Sequence, residues 1–135
     1  MAGYSGTPLV RKLGIKPGQR LALLGAPPGW SIPDLPEGVR PLRRASGSFD
    51  VIVAFFDRAR SLERRLPSLV EGTRSDGALW IAWPRKAAGH ASDIDENGLR
   101  RAVLPTGLVD VKVAALDEDW SGLRFVWRRE LRPAR

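Results

Sequence analysis

The chain contains no cysteine and a single histidine, His90, among its 135 residues. Without cysteine, disulfides, thiol catalysis, Cys-ligated zinc and iron–sulfur clusters are excluded. No apolar run approaches the roughly 20 residues of a membrane-spanning helix. The residues from Met1 also lack the basic start and apolar stretch of a secretory signal. We therefore expect a cytoplasmic protein with no membrane partner and no metal site.

Size and composition are those of one globular domain. The chain has a mass of 14.8 kDa, with 43% hydrophobic and 27% charged residues, and it shows no internal repeat or low-complexity segment. Domains commonly run to about 100–200 residues. We expect a single α/β domain over residues 1–135, in which residues 1–18 form an N-terminal helix and turn and residues 132–135 form a tail.

Lysine is scarce although the chain is basic. Only four of the 22 basic residues are lysine, and the net charge is +7. Guanidinium groups suit phosphate and carboxylate recognition, yet an excess of Arg, Ala, Gly and Pro can also be purely compositional. Residues 93–122 hold seven acidic and three basic side chains, so the basic charge is patchy. Both interpretations of the arginine excess stay open.

The first half of the chain predicts little helix. Thr7, Pro8 and Gly14 can start and stop a short helix over residues 8–13. Residues 20–25 form an apolar run typical of a strand buried on both faces. Four prolines follow within residues 26–38, so no helix can come directly after this strand. Residues 39–42 could form a short strand.

The second half alternates strands and helices. Residues 49–56 and 78–83 are apolar runs that predict buried strands, and residues 61–70 carry leucines at helical spacing with Pro67 among them. Ser75-Asp76-Gly77 is typical of a turn. Ser92 and Asp95 have the spacing of a capping box, which predicts a helix over residues 93–104.

The last two elements have a different pattern. Apolar and polar side chains alternate over residues 109–114 and 123–128, which predicts two half-buried strands. The six-residue loop 117–122 between them favours an antiparallel hairpin.

This order of elements resembles a known fold. Over residues 49–130, buried strand, helix, buried strand, helix and closing hairpin resemble the second half of the Rossmann-like fold of S-adenosylmethionine-dependent methyltransferases. The resemblance implies a small three-layer α/β domain with a mostly parallel sheet closed by a C-terminal antiparallel hairpin. It differs from the full fold because the early crossover helices are missing.

Separated motifs cover nearly the whole chain: GYSGTPL at 3–9, WPRK at 83–86, SD at 92–93 with EN at 96–97, GLVDVKV at 107–113 and WSGL at 120–123. Together they resemble a family of short bacterial proteins described only as a domain of unknown function. This resemblance implies the same methyltransferase-like fold and no known activity.

The chain departs from the methyltransferase pattern where the cofactor would bind. Such a site needs glycines after the first strand and an acidic residue at the end of the second. Here the first loop reads GAPPGW at 25–30, which is no G-x-G-x-x-G, and Arg43 and Arg44 stand in place of the acid. We expect no cofactor bound in the usual mode. The alternative is that S-adenosylmethionine binds to Trp83, Asp57 and the loop before Asp93.

The resemblance also sets a topological requirement. If it holds, residues 39–42 lie outside the first strand and residue 49 on its far side, so residues 43–48 must cross the sheet. They span at most about 20 Å, which is just enough. With no helix between the first two strands, one sheet face is thinly covered. Either the N-terminal helix lies there or a second subunit does, which makes a homodimer a hypothesis.

In open parallel sheets, ligands bind beyond the carboxyl ends of the strands. Asp93, Glu96 and Asn97 would share a helix face there, although acids at a helix start also simply favour its dipole. Arg85 and Lys86 could bind an anion or form a solvated rim. The candidate ligand-binding residues are Trp30, Asp57, Trp83, Arg85, Lys86, His90, Asp93, Glu96, Asn97 and Trp120.

The tryptophans and the histidine leave further alternatives. Two alternatives stay open for Trp30, Trp83 and Trp120: they could form the floor of a ligand pocket, or they could be buried as plugs that close the end of the sheet. Trp80 and Trp127 are expected in the core. His90 lies between small residues, a setting more typical of an exposed side chain than of a general base. No nucleophile–base pair and no G-x-S-x-G can be named, so no catalytic residue is assigned.

Three functions remain. The first is a non-catalytic, degenerate methyltransferase-like module that binds a small ligand or regulates a partner. The second is a divergent S-adenosylmethionine-dependent methyltransferase. The third is binding of nucleic acid or another phosphate-rich partner through Arg58, Arg60, Arg64 and Arg65, or through the C-terminal arginines beginning at Arg124.

Overall fold

The computed structural model describes residues 6–44, 46–86, 89 and 91–132. The helices are α1 (Leu9–Lys12), α2 (Ala59–Glu71) and α3 (Glu96–Val103). The strands are β1 (Leu21–Leu24), β2 (Pro41–Leu42), β3 (Phe49–Phe55), β4 (Thr73–Pro84), β5 (Leu108–Ala115) and β6 (Trp120–Trp127). Short 3₁₀ turns follow α3 at Leu104–Thr106 and β6 at Arg129–Leu131.

Within the described residues, six strands form one sheet in the order β2-β1-β3-β4-β6-β5. The first four strands are parallel, β6 runs antiparallel to β4, and β5 runs antiparallel to β6. The predicted α/β class, with a mostly parallel sheet closed by a C-terminal hairpin, is confirmed. The order also places β2 outside β1 and β3 on its far side, as the resemblance required.

The sheet separates two apolar layers because successive strand residues point to opposite faces. On the first, the α2/α3 face, Ile52, Leu79 and Ile81 pack with leucines of α2 and with Leu99 of α3. On the second, the α1 face, strand side chains pack with residues around α1 and with Ile32 and Val39. Both faces of β1 and β3 are covered, which explains why these strands read as continuous apolar runs.

The face that lacked a crossover helix is covered by the N-terminal helix. Leu9 and Val10 of α1 pack against that core layer, and Leu13 directly after the helix is fully buried. The Trp80 indole N–H donates a 3.2 Å hydrogen bond to the Leu13 carbonyl. Of the two coverings the sequence allowed, the structure shows the N-terminal helix. Homodimerisation stays a prediction.

The turn predicted at residues 75–77 is wrong, because β4 runs through it without a break. Thr73 pairs with Phe49, and the next pair is Ala78 with Val51, so four residues of β4 bulge opposite Asp50. A Cβ added at Gly77 would lie 2.7 Å from the Asp50 carbonyl oxygen. Ser75, Asp76 and Gly77 therefore form part of a bulge in β4, and the backbone of β4 at Gly77 stays close to that of β3.

The predicted start of the third helix is also wrong. α3 begins at Glu96, and its N-cap is Asp95, whose carboxylate accepts a 2.7 Å hydrogen bond from the Gly98 N–H. Ser92 Oγ accepts a hydrogen bond from the Ile94 N–H, which makes a local turn and no capping box. Asp93 therefore lies in the loop before the helix.

Two smaller boundaries differ from the prediction. α2 extends over Ala59–Glu71 with Pro67 inside it. β6 begins at Trp120, so the hairpin connection is shorter than the predicted loop 117–122. In the part of the chain that the structure describes, no helix has the length and apolar character needed to cross a membrane.

Candidate functional site

The carboxyl ends of the parallel strands lie at one edge of the sheet, as predicted for the candidate site. Residues 25–30 follow β1, residues 56–58 follow β3, and the segment after Pro84 leads from β4 toward α3. Residues 116–119 join β5 to β6 at the same edge, because Trp120 pairs with Pro84. The structure thus brings together the loops that carry the candidate residues.

Two of the three candidate tryptophans form an aromatic row on the α1 face. The Trp30 and Phe55 ring centroids are 4.7 Å apart, those of Phe55 and Trp120 are 5.0 Å apart, and both pairs meet edge to face. Trp30 and Trp120 are half-buried and pack against the core layer. The row runs along the α1 face from the loop after β1 to the start of β6, and the plug that the sequence left as one alternative stays a prediction.

Asp117 holds this row in place, and the sequence did not single it out. Its Oδ2 accepts a 2.8 Å hydrogen bond from the Trp30 indole N–H. Its Oδ1 accepts 2.8 Å bonds from the backbone N–H groups of Asp119 and Trp120. Aspartate at the start of a turn often accepts such backbone hydrogen bonds. The bond to Trp30 is different, because it joins two residues that are 87 positions apart in the chain.

Trp83 lies on the opposite face of the sheet from Trp30 and Trp120. It is 8% exposed and belongs to the core layer that also holds Ile94. The three tryptophans therefore do not form one pocket floor. Trp83 instead lines a separate open cleft of about 460 Å³ between the end of β4 and the start of α3.

This cleft, called here the β4/α3 cleft, collects five of the predicted ligand-binding residues. Its lining consists of Trp83, Arg85, Lys86, Asp95, Glu96, Asn97 and Ser121. Lys86 is exposed, and among the described residues its ammonium group has no hydrogen-bond or ion-pair partner. An anionic group entering the cleft could pair with this charge.

Arg85 is less available than the sequence suggested. Its Nη1 donates to the carbonyl oxygens of Asp117 and Glu118, at 3.3 Å each, and its backbone N–H donates to Asp119 O at 2.8 Å. The side chain thus fastens the hairpin turn to the end of β4. We assign Arg85 mainly to the architecture of the cleft wall.

Glu96 and Asn97 are bound to a neighbouring arginine. The Arg100 guanidinium donates to Glu96 Oε2, to Asn97 Oδ1 at 3.2 Å and to Asp110 Oδ2 at 2.8 Å. The Arg100 hydrogen bond lowers the pKa of Asp110, and the two carboxylates raise the pKa of Arg100. Glu96 is therefore paired with Arg100, whereas the side-chain nitrogen of Asn97, a residue that lines the cleft, has no hydrogen-bond partner among the described residues.

Asp93 does not share a helix face with Glu96 and Asn97, contrary to the expectation. Its Oδ1 accepts a 2.7 Å hydrogen bond from the Ala59 N–H in the first turn of α2. The residue before that turn, Arg58, provides no side-chain cap, so Asp93 supplies the missing acceptor from elsewhere in the chain. It also lines a second cleft of about 370 Å³ between α2 and α3.

The remaining candidates are dispersed. Asp57 is exposed just after β3 and is absent from the linings of both clefts. His90 lies outside the described residues. Arg58, Arg60, Arg64 and Arg65 are exposed at the start and along the outer side of α2. Within the described ranges, no three His, Asp or Glu side chains come together as a metal site.

The geometry at the first loop bears on adenosyl-cofactor binding. Gly25 has a φ of +69°, and a Cβ there would lie 3.0 Å from the Phe55 carbonyl oxygen, so glycine is required where β1 ends. Beyond it, Pro27 and Pro28 lack N–H donors, and Trp30 packs over Phe55. This loop therefore differs from the glycine-rich loop of the usual adenosyl site.

No protein-family model matches the chain, and no curated protein matches it. Solved structures do match: the ribosomal protein L11 methylase of Lactobacillus delbrueckii subsp. bulgaricus is 15% identical, with a TM-score of 0.58 over 90% of this chain and 75% of that one. The S-adenosylmethionine complex of magnesium protoporphyrin IX methyltransferase from Synechocystis PCC 6803 is 14% identical, with a TM-score of 0.60 over 89% and 74%.

A third neighbour is the TehB-like S-adenosylmethionine-dependent methyltransferase of Corynebacterium glutamicum, which is 12% identical. Its TM-score is 0.57 over 89% of this chain and 85% of that chain. At these identities, the likeness shows the fold. The methyltransferase-like fold expected from the sequence is therefore confirmed.

Proposed function

We propose that the protein is a degenerate methyltransferase-like module that binds a small anionic ligand in the β4/α3 cleft and performs no methyl transfer in the usual mode. The observation that carries the proposal is the bond from the Trp30 indole to Asp117, which holds Trp30, in the loop after β1, against Phe55 at the end of β3.

A second argument comes from the charges at the end of β2. A ribose needs an acidic acceptor for its hydroxyls at that position. Here β2 ends at Leu42 and is followed by Arg43 and Arg44, both exposed. A guanidinium can donate to a hydroxyl oxygen but cannot accept a hydrogen bond from it, so the ribose hydroxyls lack their usual acceptor at the end of β2.

The β4/α3 cleft supplies complementary chemistry for another ligand. Lys86 provides a positive charge, Asn97 an amide, Ser121 a hydroxyl, and Trp83 the edge of an apolar surface. Pockets for small molecules typically combine an apolar wall with a few such polar groups. A carboxylate or phosphate on a small polar molecule fits this set best, since the acids of the cleft are Asp95, which caps α3, and Glu96, which is paired with Arg100.

The test is an NMR titration of the ¹⁵N-labelled protein with citrate, ATP, S-adenosylmethionine and S-adenosylhomocysteine. We expect citrate or ATP to shift the amide signals of Lys86, Asn97 and Ser121. Lys86→Gln should then weaken that binding at least about tenfold, the scale of one charge-assisted hydrogen bond. The exposed Arg40→Gln is the matched control and should leave the affinity unchanged. Shifts confined to residues 25–30 on adding S-adenosylmethionine, or no shift in the cleft with any compound, would contradict the proposal.

A divergent methyltransferase is the second candidate, favoured by the glycine that ends β1. Gly25 has a φ of +69° where β1 ends, and a nucleotide site of this fold also needs glycine after its first strand. One of the neighbours was solved with S-adenosylmethionine bound. If Trp30 is a movable lid, S-adenosylmethionine should bind the native protein, and Trp30→Ala should change that affinity. If Trp30 is a fixed plug, only the variant gains binding.

Other expectations accompany this proposal. On the motifs quoted above, we propose that the chain belongs to the short bacterial family of unknown function and that it is cytoplasmic. A homodimer and nucleic-acid binding through the exposed arginines of α2 are further proposals, which light scattering and binding assays can test.

A further inference from the structure

Two basic side chains lie directly opposite each other at the edge of the sheet. In the β5–β6 ladder, Lys112 pairs with Arg124, and in the neighbouring ladder Arg124 pairs with Trp80. Directly paired residues on antiparallel strands project from the same face, with Cβ atoms about 4.5–5.5 Å apart. Because Trp80 belongs to the core layer of the α1 face, both basic side chains are on that face.

A third basic side chain reaches the same region from α1. Lys12 is only 7% exposed, and its Nζ donates a 2.7 Å hydrogen bond to the Ala115 carbonyl at the end of β5. Burial, and secondarily the charge of Lys112, lower the pKa of Lys12. Ala115, which this bond contacts, is three residues beyond Lys112 on β5, so Lys12 lies near the same part of the strand as Lys112.

In the part of the chain that the structure describes, nothing compensates the charges of the paired residues. Among the described residues, neither Lys112 nor Arg124 has a hydrogen-bond or ion-pair partner. Arg124 is half-buried, and this burial lowers its pKa. Like charges directly opposite each other destabilise a sheet, and a desolvated guanidinium without an acceptor adds to that destabilisation. An anion placed among the three groups would relieve both effects.

We propose that Lys12, Lys112 and Arg124 form a phosphate-binding site on the α1 face, separate from the β4/α3 cleft. The planar guanidinium of Arg124 can donate two parallel hydrogen bonds to phosphate oxygens, and the ammonium of Lys112 can pair with the remaining charge. Lys12 adds positive potential from its fixed position. The phosphate could belong to a small phosphorylated molecule or to a nucleic-acid backbone, and the experiment distinguishes these sources.

The first experiment titrates inorganic phosphate and pyrophosphate into the ¹⁵N-labelled protein at constant ionic strength. We expect saturable shifts at Lys112, Arg124 and Ala115, and a rise in melting temperature on adding pyrophosphate. Lys112→Gln should weaken pyrophosphate binding at least about tenfold, and Arg124→Gln should weaken it at least as much. Because Lys112 is exposed, its variant should fold normally even if Arg124→Gln does not.

The matched control is the double variant Lys16→Gln with Arg40→Gln, which removes two exposed charges from the loops before β1 and β2. It should bind pyrophosphate as the native protein does. Absence of saturable shifts, or equal losses in the control and the Lys112 variant, would overturn the proposal, since the binding would then reflect net charge alone.

A second titration uses a ten-nucleotide single-stranded oligonucleotide. Tighter binding than to pyrophosphate, with a steep salt dependence that Lys112→Gln reduces, would identify a nucleic-acid backbone as the source of the phosphate. Equal or weaker binding would identify a small phosphorylated molecule. Saturable binding of a poly-glutamate peptide at these residues with none of pyrophosphate would overturn the proposal in favour of an acidic protein partner.

Discussion

The Trp30 indole N–H donates a 2.8 Å hydrogen bond to Asp117 Oδ2, which ties the loop after β1 to the turn between β5 and β6. The same carboxylate also accepts the backbone N–H groups of Asp119 and Trp120. One side chain thus holds both the tryptophan of the loop after β1 and the turn that the Arg85 guanidinium contacts.

Replacing Asp117 should therefore destabilise the protein. Asp117→Ala removes the acceptor of three hydrogen bonds, and loss of charge-assisted bonds of this kind costs about 2–4 kcal/mol in the free energy of unfolding. Urea denaturation followed by tryptophan fluorescence measures it, and the emission of Trp30 should shift because its indole loses its partner. The neighbouring Glu118→Gln is the control, since Glu118 contributes its backbone carbonyl to Arg85. If both variants unfold at the same urea concentration, the role assigned to Asp117 is wrong.

Asp93 should matter for stability rather than for ligand binding. Asp93→Ala removes the acceptor of the Ala59 N–H at the start of α2, and loss of a helix cap costs about 1 kcal/mol. Asp57→Ala, an exposed carboxylate just after β3, is the control and should leave the unfolding free energy within about 0.5 kcal/mol of the native value. Thermal unfolding by circular dichroism gives both values. An unchanged stability for Asp93→Ala would return Asp93 to the list of ligand-binding candidates.

The sequence predicted correctly those elements whose burial is visible in a short run of consecutive residues. The apolar runs of β1 and β3 predicted buried strands because helices or loops cover both faces of these strands. The turn predicted at residues 75–77 was wrong because serine, aspartate and glycine are equally suited to a turn and to a bulge. The pairing of Phe49 with Thr73 and of Val51 with Ala78 decides between them, and such pairing is not visible in a local window.

The position of the candidate site at one edge of the sheet could also be predicted from the sequence. Parallel strands bring their carboxyl ends together in any order, so the cleft around Trp83 and Lys86 followed from the fold. The contacts that set each role are long-range. Asp93 meets Ala59, which is 34 residues away, and Asp117 meets Trp30, which is 87 residues away. Only the turn-forming character of Asp117 could have drawn attention to it.

The pairing of Arg100 with Asp110 should make stability depend on pH in acid. Because the Arg100 hydrogen bond lowers the pKa of Asp110 in the folded state, the pairing stabilises the protein where Asp110 is ionised, above its unfolded pKa of about 4. That contribution is lost as the pH falls through the lower folded pKa. Native protein should therefore lose more stability than Asp110→Asn between pH 6 and pH 2, as measured by urea denaturation at each pH. Parallel pH profiles for the two proteins would show that the pair contributes nothing.

The bulge in β4 should be intolerant of any side chain at Gly77. A Cβ at this position would lie 2.7 Å from Asp50 O, 3.1 Å from Phe49 O and 3.2 Å from Arg74 O, and backbone atoms on both strands cannot move apart without breaking the ladder. Gly77→Ala should thus lower the free energy of unfolding by at least about 2 kcal/mol, as overpacked sites do. Gly6→Ala is the matched control, because a Cβ at Gly6 meets nothing within 4 Å. Should Gly77→Ala unfold at the same denaturant concentration as Gly6→Ala, the close approach of β3 and β4 at this bulge would be refuted.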